Sequence, residues 1–570
     1  MGLLSSFQNI PYTQSLRNSP LSSSLLALLI ICIITRIVTG LRSNVAQNNH
    51  DAATKTPNTI PYWLPFIGTA LSFLKNIEST ITHDRYASGD GIFAYRMGPG
   101  KAYVISMPSL VMQVFAQRSN VLNKVKTLEW FMNAAFDDKF AFRNEHDAVH
   151  GHHNALNLML KSEFTTEATN KTARAVERKA SQLITKAPWM FPDEQGKAME
   201  PWEEAGNVRF NTDGTFEANL FSLVINYMGQ IVIDMLWGKA LLENFPTIQK
   251  DMWSFDRDIH TMLRPVIGKH LPSGRRGIAA RERLGVAMKE WYDAVAAKQA
   301  GRDPGAKWGA LDDISQVMHD RVKVWVDTNA SERLQKTNDI SVLWGVNVNS
   351  NKNVFWMLMQ INSRPEVLSD IREEIAPYVH ISPTGERGPT GFPKLSIDVD
   401  GLMKHCPLLK ASFYETMRMN MAGLGVREII KDVVLKESAE DAALFGKKRP
   451  QSYTIPAGST LVIANGPMQM DQRIFANPEE FHPERFFEDG PDGTTRVTMK
   501  NLHTFGGGMY KCKGRYFAEK EVMIFASSLL VMWDISPIEG EVLEVPGMGN
   551  VGGSRRPIED VRVKLTRRYN

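Results

Sequence analysis

The sequence predicts a mainly α protein with small β-sheets (an α+β fold), one large domain carried behind an N-terminal apolar anchor. Three observations predict it. Helical periodicity dominates from about residue 108 to 372, and a further helix is expected from about Gly514 to Trp533. Two β-rich patches stand apart from that pattern, at residues 91–105 and 428–463. Residues 25–34 read LLALLIICII, ten apolar residues without a break. Many helices with a few small sheets make a mixed, helix-dominated layer architecture.

The chain divides into a short N-terminal segment (1–20), an anchor (21–38), a linker (39–65) and a large domain (66–570). The anchor has 18 residues and one charge, Arg36, near the lower length limit for a membrane-spanning helix. Arg36 lies near its end, where a long cation can reach the interface. A cleaved signal peptide is the rival reading; the length of the run and the cysteine-poor remainder favour the anchor. Arg36 and Arg42 follow the run and Arg17 precedes it, which puts the C-terminal bulk in the cytosol. The sequons at Asn170 and Asn329 then go unused. Pro57, Pro61 and Pro65 make the linker a stiff extended connector. Beyond it, residues 91–105 turn through Gly98-Pro99-Gly100 as a hairpin, and residues 453–463 (YTIPAGSTLVI) read as strand, turn and strand.

Composition narrows the function. A formal charge of +4 on 570 residues, without a basic tail, argues against nucleic acid and suits a membrane surface. No Gly-x-Gly-x-x-Gly precedes a helix, so no dinucleotide or flavin module is visible. Three cysteines cannot build a disulfide framework. Cys32 sits in the apolar run, and Cys406, before Pro407, is expected to be an inert buried thiol.

Cys512 has different surroundings: residues 505–518 read FGGGMYKCKGRYFA. Three glycines permit a tight turn and close approach of backbone to a flat ligand. Phe517, Val522, Phe525, Ala526 and Leu529 recur at helical spacing after Gly514. A cysteine just before a helix faces partial positive charge and free N–H groups, which favour the metal-binding thiolate. The alternative is a glycine turn holding a free, buried cysteine.

Two further motifs precede this loop. Glu415 and Arg418 form Glu-x-x-Arg in YETMR, and FHPERF contributes Pro483, Glu484 and Arg485. In this order, and with Phe505, Gly506, Gly508, Cys512, Gly514 and Ala518 on its signature positions, the chain resembles the cytochrome P-450 superfamily. The resemblance implies the P-450 fold, heme b with Cys512 as axial thiolate, and a charge network of Glu415, Arg418 and Arg485. It implies Arg427 as a propionate contact, with the Phe505, Gly506, Gly508 and Gly514 backbone around the cofactor. It also implies O2, a lipophilic substrate, and NADPH acting through a separate membrane-bound cytochrome reductase. The expected location is the endoplasmic reticulum membrane, single-pass, with the catalytic domain in the cytosol. A thiolate ligand pushes electron density onto iron, which is why cysteine is needed here.

Two departures matter. Where the family often has a basic residue two places before the cysteine, this chain has Tyr510, which donates one hydrogen bond but carries no positive charge near neutral pH; Lys511 or His503 could compensate. The long central helix, expected over residues 340–361, contains a polar block of Asn347, Asn349, Ser350, Asn351, Lys352 and Asn353. Such a block is costly inside a buried helix unless hydrogen-bonded. In the best register Asn349 replaces the family's acid and Ser350 its alcohol, making these the oxygen-side candidates. A similar asparagine occurs in the branch containing cholesterol 7-alpha-hydroxylase and prostacyclin synthase. The leading expectation is therefore a monooxygenase acting on a terpenoid, sterol or polyketide-like molecule, in the style of fungal secondary metabolism. A peroxide isomerase or dehydratase working without reductase is the alternative, and a non-catalytic haem-binding protein the third. His146, His150, His152 and His153 invite a zinc reading, but no acid or cysteine partner follows at ligand spacing.

Overall fold

In a computed structural model, residues 20–48, 54–70, 72, 77–88, 90–185, 199–264, 266–381, 391–421, 423–490, 493–549 and 553–569 are described. They fall into two compact units, Met1–Val125 with Leu424–Ala476, and Lys126–Gly423 with Asn477–Asn570. The short segment expected over 1–20 lies, up to residue 19, outside the described residues.

The smaller unit begins with α1, Pro20–Asn48, which outruns the 21–38 expectation. Residues 39–48 hold no proline, so nothing ends the helix at 38. Its stretch Ser23–Ser43 has mean hydropathy 2.4 and its most apolar 18-residue window holds no buried residue, long and apolar enough to cross a membrane. Arg36 donates to the Pro61 carbonyl and lies 5.7 Å from the Trp63 ring. The proline-rich stretch is part of the fold rather than a free spacer. Ala94 N–H donates to the Asn58 carbonyl at 2.7 Å, and Ile60 N–H to the Ala94 carbonyl at 2.9 Å.

The expected hairpin forms as β1, Ile92–Met97, and β2, Gly100–Ile105. With β3, Leu122–Asn123, β4, Leu424–Ile429, β5, Val433–Lys436, β6, Ser452–Ile455, and β7, Thr460–Ala464, it builds two sheets. One has the order β1-β2-β7-β4-β3, with β7 parallel to β2 and antiparallel to β4; the other pairs β5 with β6. The strands on either side of the Pro-Ala-Gly turn thus part into different sheets. Pro456 has no N–H to offer a ladder. The turn's other donors are taken: Ala457 N–H by Asp432 at 2.7 Å and Gly458 N–H by the Ile429 carbonyl at 2.8 Å. Both faces of the larger sheet are buried. Period-2 alternation sends Ile92 and Ala94 to one core with Ile105 and Leu461, and Phe93 and Tyr95 to another with Val104 and Val462.

The larger unit is helical. The elements that position its chemistry are α2, His146–Leu156, α3, Leu220–Trp237, α4, Ile248–Met262, α5, Pro272–Gln299, α6, Glu332–Asn347, α7, Ser350–Asn362, α8, Pro407–Asn420, and α9, Arg515–Met532. After α9 come β8, Trp533–Pro537, and β9, Arg562–Arg567, which join strand Phe216–Asn219 in a sheet. α7 packs against α3, α8 and α9, and all of its residues are buried.

The continuous central helix expected over 340–361 is corrected: α6 and α7 are separate helices that meet at Val348 and Asn349. Polar side chains at the junction find partners outside the helix. Asn349 Oδ1 accepts the Ser554 N–H at 2.9 Å, and Asn351 Nδ2 donates to the Ile225 carbonyl at 3.2 Å. Lys352 Nζ pairs with Asp256 of α4 at 2.8 Å. The asparagines bond to neighbouring elements, to the Leu343 carbonyl of α6 and, in one link among themselves, Asn351 to Asn347 at 3.4 Å, while Asn351 Oδ1 has no hydrogen-bond partner among the described residues.

Candidate functional site

The cysteine loop is a backbone construction. Gly506 and Gly508 have φ of +68° and +59°, a left-handed conformation that other residues adopt only with strain. Gly506 N–H donates to the His503 carbonyl at 2.8 Å, and Cys512 N–H to the Phe505 carbonyl at 2.9 Å. Gly514 is the N-cap of α9, and the Arg515 guanidinium donates to the Cys512 carbonyl at 2.8 Å.

Burial pushes the Cys512 thiol up, while the N–H groups of Gly514 and Arg515 and the Arg515 charge pull it down. The loop crowds the sulfur, yet Cys512 is the exposed cysteine of the three. A reachable sulfur that already accepts backbone N–H bonds at a helix start suits an iron-bound thiolate, so the residues present fit a haem iron here. Cys406 is the opposite case. It is buried, its thiol donates to the Glu374 carbonyl at 3.6 Å, and burial and then Glu374 push it up to about 12.

Near the loop, Tyr510 is half-buried. Burial, then the Lys511 charge, pushes His503 down to about 4. His503 is therefore neutral at pH 7 and offers a hydrogen bond, leaving Lys511 to carry positive charge.

Glu415, Arg418 and Arg485 come together. Arg418 grips Glu415 with Nε and Nη2, at 2.7 and 2.8 Å, and Arg485 Nε reaches it at 3.0 Å. The His482 N–H adds a fourth bond at 3.0 Å. Arg418 also donates to the Pro478 carbonyl at 2.8 Å. The Glu415 and Arg418 side chains are fully buried, so this i,i+3 pair is a core feature rather than surface decoration.

On α7, the Ser350 hydroxyl hydrogen-bonds Glu521 of α9. Glu521 is the residue that sequence reasoning missed. It is buried, its Oε1 has no hydrogen-bond partner, and burial pushes it up to about 8 against the pull of Ser350. Near neutral pH it is a protonated acid. Its signal was present: Phe517, Glu521 and Phe525 follow at i, i+4, i+8, placing a carboxyl on the apolar face of α9.

Arg427 belongs to the smaller unit. It is buried on β4, between β7 and β3, and is no solvated strand-edge charge. Its charge adds to the burial that pushes Lys124 down to about 8. Of the clustered histidines, His152 is buried, stacks on Trp325 with centroids 4.9 Å apart, and accepts from Arg321 at 3.3 Å. No group of three potential metal ligands forms among the described residues.

A mainly helical chain with a thiol on a glycine loop at a helix start defines a class of candidate haem-thiolate proteins. Comparison with known proteins is more specific. Residues 340–557 match the Cytochrome P450 family model. "Cytochrome P450 monooxygenase poxD" of Penicillium oxalicum is 22% identical over 491 residues, 85% of this chain and 88% of that one. "Cytochrome P450 monooxygenase efuG" of Hormonema carpetanum is 23% identical over 558 residues, covering 90% and 91%. "24-hydroxycholesterol 7-alpha-hydroxylase" of Homo sapiens is 22% identical over 486 residues, covering 85% and 88%. The chain is thus similar to the cytochrome P450 family over residues 340–557 and to proteins named as P450 monooxygenases over most of its length, which supports the resemblance read from the cysteine loop.

Proposed function

We propose that this chain is a haem-thiolate monooxygenase that inserts one oxygen atom from O2 into a lipophilic small molecule of terpenoid, sterol or polyketide type. Two electrons come from NADPH through a separate cytochrome reductase. α1 anchors it, single-pass, in the endoplasmic reticulum membrane, and residues 66–570 form the catalytic domain on the cytosolic side. The observation that carries this reading is one helix, α9. It starts at the Cys512 loop and, two turns later, holds the protonated Glu521 against Ser350.

Heme b, when bound, supplies the oxygen chemistry, and a thiolate ligand favours O–O cleavage. The chain's own residues do the rest. Gly514 and Arg515 N–H groups steady the Cys512 sulfur. Phe505, Gly506 and Gly508 shape the loop, while Tyr510, His503 and Lys511 are the polar groups of this unit proposed for the propionates. Glu415, Arg418 and Arg485 fix the chain segment ahead of the loop. Ser350 presents a hydroxyl whose proton can be replenished from Glu521, an acid near its own pKa at working pH. Asn349 carries no such proton; held by Ser554, it positions the start of α7.

The peroxide isomerase reading rests on the amide at 349, since that chemistry needs no delivered proton. Glu521 returns a carboxyl to the same hydroxyl and favours the monooxygenase. The test is the spectrum of reduced full-length protein with carbon monoxide, beside Cys512→Ser. A strongly red-shifted Soret band lost in the variant is expected. A haem spectrum without that shift would sink the thiolate assignment, and well-folded protein without haem would support no part of the reading. Product formation requiring reductase and O2 separates the monooxygenase from the isomerase, and no substrate-dependent product in either assay leaves the non-catalytic reading.

A further inference from the structure

A cleft of about 660 Å³ opens in the larger unit beside the first turn of α7. That is within the usual size of small-molecule sites, roughly 300–1,000 Å³. Its walls are α4, the start of α3, and the segment between β8 and β9. Phe221, Met548, Pro557 and Ile558 give it apolar surface.

Its charges are unbalanced. Arg257, Arg264, Arg556 and Lys352 face the cleft against two carboxylates, Asp256 and Asp560. Both carboxylates are already committed. Asp256 holds Lys352 at 2.8 Å and accepts from Trp344 Nε1 at 3.2 Å. Asp560 accepts the backbone N–H groups of Phe221 and Ser222, at 2.8 and 3.0 Å, capping α3. Arg257 has a partner outside the lining, Asp258, at 3.5 Å. Arg264 has no ion pair among the described residues. Arg556 Nη1 forms a long ion pair with Asp256 at 3.9 Å, beyond hydrogen-bond reach, and this buried nitrogen has no hydrogen-bond partner among the described residues. Its guanidinium lies 5.4 Å from the Phe221 ring, a cation beside an apolar wall.

We infer that this cleft binds the carboxylate end of a lipophilic acid, with Arg556 and Arg264 as the recognising groups and the apolar wall receiving the carbon chain. A guanidinium fork matches a carboxylate, and arginines that no carboxylate hydrogen-bonds, set beside apolar surface, suit an anion with a hydrophobic body. The same segment of chain links the cleft to the oxygen side: Ser554 contacts Asn349, and Arg556 follows two residues later. Lys352 lies two residues after Ser350 on α7. Calling the acid a substrate rests on the monooxygenase reading; its binding does not.

The probe is dodecanoate, compared with 1-dodecanol, titrated calorimetrically into full-length haem-loaded protein below the micellar range. The acid is expected to bind about tenfold more tightly, the scale of one charge-assisted hydrogen bond. Arg556→Gln and Arg264→Gln should each remove most of that preference and leave alcohol affinity unchanged. Equal affinity for acid and alcohol, or a preference untouched by both variants, would overturn the proposal. So would a preference for phosphatidylglycerol over phosphatidylcholine vesicles that depends on these arginines while dodecanoate is not distinguished, since the cleft would then read a membrane surface. The carbon monoxide spectrum of each preparation reports Cys512 independently, so failure here and failure of the haem-thiolate reading remain distinguishable.

Discussion

Two glutamates lie buried on neighbouring helices of the same unit, and they have opposite fates. Glu415 on α8 meets two arginines and a backbone N–H. Glu521 on α9 meets one serine hydroxyl, and burial pushes it up to about 8. The difference is partner supply. Arginines compensate the desolvation of a buried carboxylate, whereas a single neutral hydroxyl cannot, so the proton stays. One glutamate is held in an ion network, and the other keeps a proton that the proposed mechanism would use.

The comparison breaks most visibly at the ion network. Arg418→Ala leaves Glu415 with a weaker set of partners in the core and is expected to cost about 3–5 kcal/mol, read by denaturant unfolding. A loss under about 1 kcal/mol would place this pair with surface ion pairs instead.

Next in size is Glu521→Gln, which keeps the shape and removes the transferable proton. Turnover should fall about 100-fold, the low end for general acid catalysis, with KM little changed. Wild-type kcat should decline as pH rises through about 8, and the variant should lose that limb. A variant with wild-type kcat and an unchanged pH profile would make Glu521 structural.

The same group predicts a stability effect of definite sign. Its folded pKa lies above the unfolded value of 4.5, so between about 4.5 and 8 the folded chain keeps a proton that the unfolded chain releases. Wild-type stability therefore loses ground to Glu521→Gln as pH rises through that window. Melting temperatures of both proteins from pH 5 to 9 test it, and a constant gap between them would contradict it. The smallest effect belongs to Asn349→Ala, which strands the Ser554 N–H and should cost about 1 kcal/mol in the same unfolding assay.

Much of this was legible in advance. The hairpin at 92–105, the apolar N-terminal helix and the helix after Gly514 follow from local pattern, because periodicity and turn chemistry are local properties. The cysteine loop, too, is written in consecutive residues. The break between α6 and α7 was not legible. The partners that relieve the asparagine block, Ser554, Ile225 and Asp256, lie about 100 to 200 residues away in the chain. The two strands flanking Pro456 went to different sheets for the same kind of reason, since Asp432 and Ile429 claimed the turn.

By itself, then, the sequence determined the kinds of elements, their order, and the placing of Cys512 at the start of a helix. Tertiary structure alone decided that Glu521 would face Ser350 and not a cation, and that Arg556 would reach a cleft whose carboxylates are already engaged. A sequence states which side chains share a face of a helix. Which faces meet, and so which buried charge finds a partner, is settled only when the helices pack.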